Sequence, residues 1–315
     1  MKRGMKRGMI SWTRYGARVT AVDTPPGERP ADPRQPRQLI VTLYGLYARD
    51  DDGWFSVAAL VRLMAGLAVD EPAVRSAISR LKRRGLLDAQ RRRPSEDQRC
   101  RPSEDQRRGA AGYALSADAR EILADGDARI FGRRRAEAAD GWVLVVFSVP
   151  ESERGRRHTL RTQLAQLGFG TVAPGVWVAP GHLAGELTDV LHRLGLEGYV
   201  EMFVGNHLPF AGPGTDVGSW WDLDALHERY ATFLHRHGPV RARWARRRGT
   251  DPAGAYADYV RLVTDWRRLA YADPGLPLEL LPARWNGVRA AELFAGLQRR
   301  LAAPAHEHAR TLVRG

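Results

Sequence analysis

Between residues 56 and 85 the apolar positions recur every three or four residues, which is the spacing of one face of an α-helix. The first run follows Ser56 and comprises Val57, Leu60, Val61 and Met64. The second run follows Asp70 and comprises Val74, Ala77, Ile78 and Leu81. Serine and aspartate are preferred N-cap residues, and Gly85 is of the type that favours a helix end. The pattern predicts helix, turn, helix, with residues 66–69 as the turn.

The second predicted helix places cationic and hydroxyl side chains on its outward face. They are Arg75, Ser76, Ser79, Arg80, Lys82 and Arg83. Such side chains bind base edges and phosphates of DNA, so this helix is the candidate recognition helix. A basic amphipathic helix with a merely solvated polar face is the alternative.

The flanking segments complete a candidate DNA-binding domain over residues 38–135. QLIVTLYGLYA, residues 38–48, predicts a preceding helix, and Leu86-Leu87 begins a strand whose predicted partner is GYALS, residues 112–116. Two strands after a recognition helix form a wing, which predicts a winged helix-turn-helix. Arginines of this wing are candidate phosphate contacts: Arg91, Arg92 and Arg93.

The loop between the two wing strands contains a duplication. RPSEDQR occurs at residues 93–99 and again at 101–107, with Cys100 at the join. A short polar repeat cannot bury surface, so it predicts a flexible lengthening of the wing tip. Its arginines could contact phosphate, or its acidic residues could make it a neutral solvated loop.

Residues 136–210 predict a second domain with the element order β-α-β-β-α-β. GWVLVVFSVP, residues 141–150, predicts a strand, and a basic amphipathic helix follows over 152–167. Residues 168–180 predict two short strands around Pro174-Gly175, and a helix over 182–194 and a strand over 199–204 complete the order. This order is typical of a ferredoxin-like fold.

Residues 211–315 predict a helical domain rich in aromatic side chains, joined to the second domain by the glycine-rich segment 212–218. Aromatic walls with nearby arginines suit a ligand that has an aromatic acyl group and a phosphate-bearing handle. The candidates are Trp220, Trp221, Tyr256, Tyr259, Trp266, Arg267 and Arg268. Packing in a helical core is the alternative for each aromatic residue.

Composition narrows the function classes. Among 315 residues, 49 Lys and Arg against 36 Asp and Glu give a net charge of +13, which favours an anionic partner. Residues 1–37, rich in proline and charge, predict a disordered basic leader.

No apolar run approaches the roughly 20 residues that span a bilayer, and the N-terminus lacks an apolar signal region, so a cytoplasmic protein is expected. One cysteine excludes an intramolecular disulfide and a thiol metal cluster.

Long ordered segments resemble the PaaX family of bacterial transcriptional regulators over about residues 38–305. They are QLIVTLYGLYA, DEPAVRSAISRLKRRGLL, GYALS with RIFGR after it, and DGWVLVVFSVPESERGRRHTLRTQLAQLGFGTVAPGVWVAP. The resemblance implies a winged helix-turn-helix, a middle domain similar to the CRISPR-associated Cas2 nuclease, and a family-specific C-terminal domain. It also implies a dimeric repressor that leaves DNA when an acyl-CoA or aromatic-acid effector binds, phenylacetyl-CoA in the best-known members. The duplicated wing loop is longer than the family's pattern.

Two enzyme functions are the alternative hypotheses to a transcriptional regulator. Cas2-type nucleases hold a divalent metal with an aspartate near the end of the first strand, where this chain has Ser148, a poor ligand for a hard cation. An acyl-CoA enzyme would need an activated nucleophile, and no nucleophile elbow, phosphate-binding loop or zinc-protease helix occurs. We therefore predict an α+β, ligand-responsive regulator that binds operator DNA as a homodimer. It represses an aromatic-acid or acyl-CoA catabolic operon, and it has no catalytic residue, metal or cofactor.

Overall fold

The computed structural model describes residues 36–92, 110–132, 134–207 and 217–314. The leader up to residue 35, the duplicated loop with Arg93 and Cys100, and most of the glycine-rich segment 212–218 lie outside these residues. The described residues form two compact units. The terminal unit combines those of 36–134, 225–271 and 283–314, and the central unit combines those of 135–224 and 272–282.

The N-terminal part of the terminal unit alternates helices with a small sheet. Its elements are α1 (Pro36–Tyr47), β1 (Trp54–Ser56), α2 (Val57–Ala65), α3 (Glu71–Arg83), β2 (Leu87–Arg92), β3 (Ala110–Leu115) and α4 (Ala117–Phe131). The strands form an antiparallel sheet in the order β1-β3-β2. Tyr44 of α1 fixes its helix to this sheet, because its hydroxyl donates to the carbonyl of Tyr113 at 2.9 Å. The predicted caps are confirmed: Ser56 accepts from the Ala59 amide at 3.0 Å.

The central unit has the predicted order of elements. They are β4 (Trp142–Phe147), α5 (Arg154–Gln166), β5 (Gly170–Ala173), β6 (Val176–Pro180), α6 (Ala184–Leu194), β7 (Val200–Gly205) and the short α7 (Val217–Trp220). The strand order β5-β6-β4-β7, antiparallel throughout, is that of a ferredoxin-like sheet. Val143, Val145 and Trp177 face α5 and α6 and form the core with Leu160 and Leu187.

The C-terminal part is helical, as predicted. It consists of α8 (Leu223–Arg246), α9 (Pro252–Ala272) and α10 (Asn286–Arg314). Within the terminal unit α9 lies against α1, where the hydroxyl oxygens of Thr264 and Thr42 are 2.8 Å apart in a buried position. It also lies against α4, because the indole N–H of Trp266 donates to the carbonyl of Ile130 at 2.9 Å. The N-terminal and C-terminal parts of the chain thus share one core.

None of the helices in the described ranges is both long enough and apolar enough to span a membrane.

The turn between α2 and α3 contains a residue in the left-handed region. The amide of Ala68 donates to the carbonyl of Ala65 at 2.9 Å, and that of Val69 donates to the carbonyl of Met64 at 3.0 Å. This is the pairing of a Schellman motif, in which the left-handed position favours glycine. Here that position is Ala68, with φ of +60°. A Cβ in this conformation costs about 1–2 kcal/mol, so the turn is strained.

Replacing Ala68 with glycine is therefore expected to stabilise the folded protein by up to about 1 kcal/mol, since relief of strain exceeds the added entropy of the unfolded chain. The measurement is the free energy of unfolding by denaturant titration. Ala65→Gly is the matched control: Ala65 is the last residue of α2 and its backbone is helical, so glycine there should destabilise by up to about 1 kcal/mol. The same sign for both variants would contradict the assignment of strain to Ala68.

Candidate nucleic-acid interface

Helix α3 forms because its sequence supplies both ends and one apolar stripe. The carboxylate of Asp70 accepts from the amide of Ala73 at 2.7 Å, and Pro72 occupies the first turn, where an N–H has no helical partner. Gly85, with φ of +69°, takes the chain out of the helix. The stripe is buried against the other helices, as predicted: Val74, Ala77, Ile78 and Leu81. Helix α3 can therefore rotate little about its axis.

The opposite side of α3 is exposed at every predicted position. These residues are Arg75, Ser76, Ser79, Arg80, Lys82 and Arg83. Arg75 is held by its own helix, since its guanidinium donates to Glu71 at 2.7 Å. Arg80, Lys82 and Arg83 form no ion pair with any described residue. Their charges are thus not neutralised by described groups and can meet an anionic ligand.

The arginines of β2 differ from one another. Arg91 is exposed, and Arg93 lies outside the described residues. Arg92 is part of the fold: its guanidinium pairs with Asp51 at 2.8 Å and with Asp52 at 3.6 Å. It also lies 5.3 Å from the ring centroid of Trp54. Arg92 therefore joins β2 to the segment that leads into β1.

The tryptophan pair of the effector candidates lies in the central unit, beside Trp142. The ring centroids of Trp220 and Trp221 are 5.7 and 6.1 Å from that of Trp142. The indole N–H of Trp221 donates to the carbonyl of Gly168 at 2.9 Å, and a Cβ at Gly170 would lie only 2.6 Å from the Trp221 ring. Both tryptophans are half-buried, and they cover part of the β5 end of the sheet.

The other effector candidates lie on α9 in the terminal unit. Tyr259 and Trp266 are only 3% and 5% exposed, and Trp266 stacks on Phe294 with centroids 4.6 Å apart. Burial raises the pKa of Tyr259 to about 12. It lowers the pKa of the half-buried Arg267 to about 10, which keeps this guanidinium cationic at neutral pH, and Arg268 is exposed. The seven candidates are thus divided between two units, and packing accounts for Tyr256, Tyr259 and Trp266.

The central unit contains a cavity of about 380 Å³ next to Trp221. Of the described residues that line it, Asp222, Asp224 and Glu279 carry carboxylates, and none is a lysine, arginine or histidine. Negative charge opposes the binding of phosphate groups, so this cavity does not suit the handle of a coenzyme A thioester.

The position that corresponds to the Cas2 metal ligand has no free carboxylate nearby in the chain. Ser148 follows β4, and the next two acidic residues are already paired. Arg157 donates to Glu151 at 2.8 Å, while Glu153 accepts from Tyr199 at 2.6 Å and pairs with Arg156. Within the part of the chain that the structure describes, no cluster of three His, Cys, Asp or Glu could hold a metal ion.

Comparison with known proteins gives matches along most of the chain. Three family profiles match in order: PaaX-like protein over residues 35–95, PaaX protein central Cas2-like domain over 135–216, and PaaX-like protein C-terminal domain over 221–311. The chain is 29% identical over 274 residues to the Transcriptional repressor PaaX of Escherichia coli (strain K12), covering 84% of this chain and 79% of that protein.

A solved structure supports the fold. It is the uncharacterized protein Rv0674 from Mycobacterium tuberculosis, with a TM-score of 0.51 and 24% identity, covering 86% of this chain and 97% of that one. Because the three family profiles follow one another along one chain, and the Escherichia coli relative aligns across them, this protein belongs to the PaaX family.

Proposed function

We propose that the protein is a transcriptional repressor that binds operator DNA through a winged helix-turn-helix. Elements α1 to α3 supply the helices, and β2 and β3 supply the wing. The observation that carries the proposal is the packing of α3, whose apolar stripe is buried while all six polar candidates are exposed. A helix held in this way can enter the major groove with its cations outward.

The contacts of each side chain suggest which residues contact bases and which contact phosphates. Arg80 is the best candidate for a guanine edge, with Ser76 and Ser79 beside it, because its guanidinium is exposed and pairs with no described residue. Lys82, Arg83 and Arg91 are the candidates for phosphate contacts. Arg75 can read bases only after leaving Glu71, and Arg92 acts indirectly by holding β2 in place.

We further propose that the repressor acts as a homodimer in the cytoplasm. A protein that reads a palindromic operator matches its two-fold symmetry, with half-sites about one helical turn of DNA apart or a multiple of it. The family resemblance supports an acyl-CoA or aromatic-acid effector that releases the DNA. Trp220 and Trp221 in one unit, and Arg267 and Arg268 in the other, are the effector candidates that burial does not assign to a core.

The test is fluorescence anisotropy with the duplex upstream of the protein's own coding region. We expect selective binding that weakens steeply with salt, because each neutralised phosphate contributes about −0.9 to the slope of log K against log salt. Addition of phenylacetyl-CoA or a related thioester should release the DNA. Random duplex of equal length is the control, together with a magnesium-dependent cleavage assay.

The outcomes separate the parts of the proposal. Selective binding that no thioester affects would keep the repressor and remove the effector. Equal binding to random duplex would remove the repressor. Cleavage of the duplex with magnesium would establish the nuclease in its place.

A further inference from the structure

Three polar contacts connect the C-terminal helices to α2 and to the turn before α3, all within the terminal unit. The hydroxyl of Tyr256 on α9 donates to the carbonyl of Leu63 at 2.7 Å, in a fully buried position. The guanidinium of Arg261, also on α9, donates to the carbonyl of Leu67 at 3.1 Å. Both acceptors belong to the last turn of α2 and the residues just after it.

The third contact runs in the other direction. Arg62 of α2 donates to the carbonyls of Leu312 and Val313, at 2.7 and 2.9 Å. These are among the last carbonyls of α10, which have no partner within their own helix. A cation at a helix C-terminus also meets the negative end of the helix dipole. The end of α10 is thus fixed to α2.

The sequence of the turn fits this close approach. A Cβ at Gly66 would lie 3.0 Å from the ring of Tyr256 and 3.4 Å from Leu312. The φ of Gly66 is −61°, an ordinary helical value, so the backbone conformation does not require glycine. The close packing against Tyr256 and Leu312 explains why this position lacks a side chain. Ala68, two residues on, is strained, and the bond from Arg261 to Leu67 lies directly beside it. Strained backbone persists where its surroundings hold it.

From these contacts we infer that Tyr256, Arg261 and Arg62 are positioning residues for DNA binding, which fix the angle at which α3 meets the groove. The inference rests on the proposed function. Tyr256 and Arg261 donate to backbone carbonyls at the junction between α2 and α3, and Arg62, on the last turn of α2, donates to the end of α10. Loss of any of these donors frees the turn without altering any side chain of α3. The turn then samples other angles, and only part of the population is competent to bind.

The experiment compares DNA affinity with local and global stability. Tyr256→Phe and Arg261→Met each remove one donor at nearly constant volume. Each is expected to weaken operator binding by about fivefold, the loss that corresponds to one buried hydrogen bond. Arg261→Lys retains a cationic donor and should recover most of the affinity. Hydrogen exchange at the amides of residues 67–71 should quicken in the two weakened variants.

Tyr259→Phe is the matched control, because Tyr259 is a buried tyrosine on the same helix without a described hydrogen bond to α2. A purely structural role would lower the melting temperature but leave operator affinity unchanged well below it. If Tyr256→Phe does not fold, Gly66→Ala serves instead, since it displaces the Tyr256 ring by a few tenths of an ångström and keeps every donor.

Three results would overturn the inference. In the first, the folded variants bind the operator as tightly as the unsubstituted protein. In the second, Tyr259→Phe weakens binding as much as Tyr256→Phe does. In either case the proposed function stands, because the unsubstituted protein binds its operator. In the third, the unsubstituted protein shows no selective binding, and the proposed function falls as well.

Discussion

Replacing Arg80 with alanine is expected to weaken operator binding by about 1–3 kcal/mol and to relax sequence preference at the contacted base pair. The physical reason is that an arginine makes two hydrogen bonds to the O6 and N7 edge of guanine, which no other base offers. Arg80 is exposed on α3 and pairs with no described residue, so it need not break an existing contact to do this. The measurement is anisotropy with the operator and with single-base variants of each half-site.

Lys82→Ala is the comparison, because Lys82 lies two residues further along the same helix and is also exposed. A phosphate contact carries no sequence information, so this variant should bind all duplexes more weakly and reduce the salt slope by about one. If Arg80→Ala and Lys82→Ala change affinity, salt slope and base preference alike, the division between base reading and phosphate binding is wrong.

Trp266→Ala is expected to destabilise the terminal unit by about 3–5 kcal/mol, the usual loss for removing a large aromatic side chain from a core. Trp266 is 5% exposed and stacks on Phe294, and its indole N–H satisfies the carbonyl of Ile130. Its removal leaves a cavity and an unpaired acceptor at the junction of α9 with α4. The measurement is the free energy of unfolding by denaturant titration.

Arg268→Ala controls for substitution on the same helix, because Arg268 is exposed and should change stability by less than about 0.5 kcal/mol. A Trp266→Ala protein that unfolds like its parent but no longer responds to thioesters would make Trp266 a wall of the effector site. That result would support the interpretation of Trp266 as an effector-binding residue, which its burial disfavours.

Local signals in the sequence predicted the elements well. Asp70 and Ser56 cap their helices as expected, because N-capping needs only a side chain within three residues of its partner amide. The exposed face of α3 followed from helical periodicity alone. The order of strands and helices over residues 142–205 was equally legible, since each element has its own apolar pattern and turn residues.

Long-range pairing gave no such signal. Strand β1 has three residues, too few for an alternating pattern, so the ion pairs of Arg92 with Asp51 and Asp52 beside it were missed. The sequence also could not show that α9 packs on α1 and α2, because helix periodicity identifies a buried face but not its partner. For this reason Tyr256 was considered as an effector residue, whereas its hydroxyl binds the carbonyl of Leu63.

The shared core of the terminal unit has a consequence during protein synthesis. Leu63 and Tyr256 are 193 residues apart in the chain, and Arg62 and Leu312 are 250 apart. At about 5–20 residues per second, α2 leaves the ribosome roughly 10–40 s before α9 does. During that interval its apolar side has no partner from the C-terminal helices, although the β4–β7 sheet, which ends at Gly205, is synthesised before α9. We therefore expect that nascent chains cannot occupy the operator, and that repression begins only after the last helix has been released.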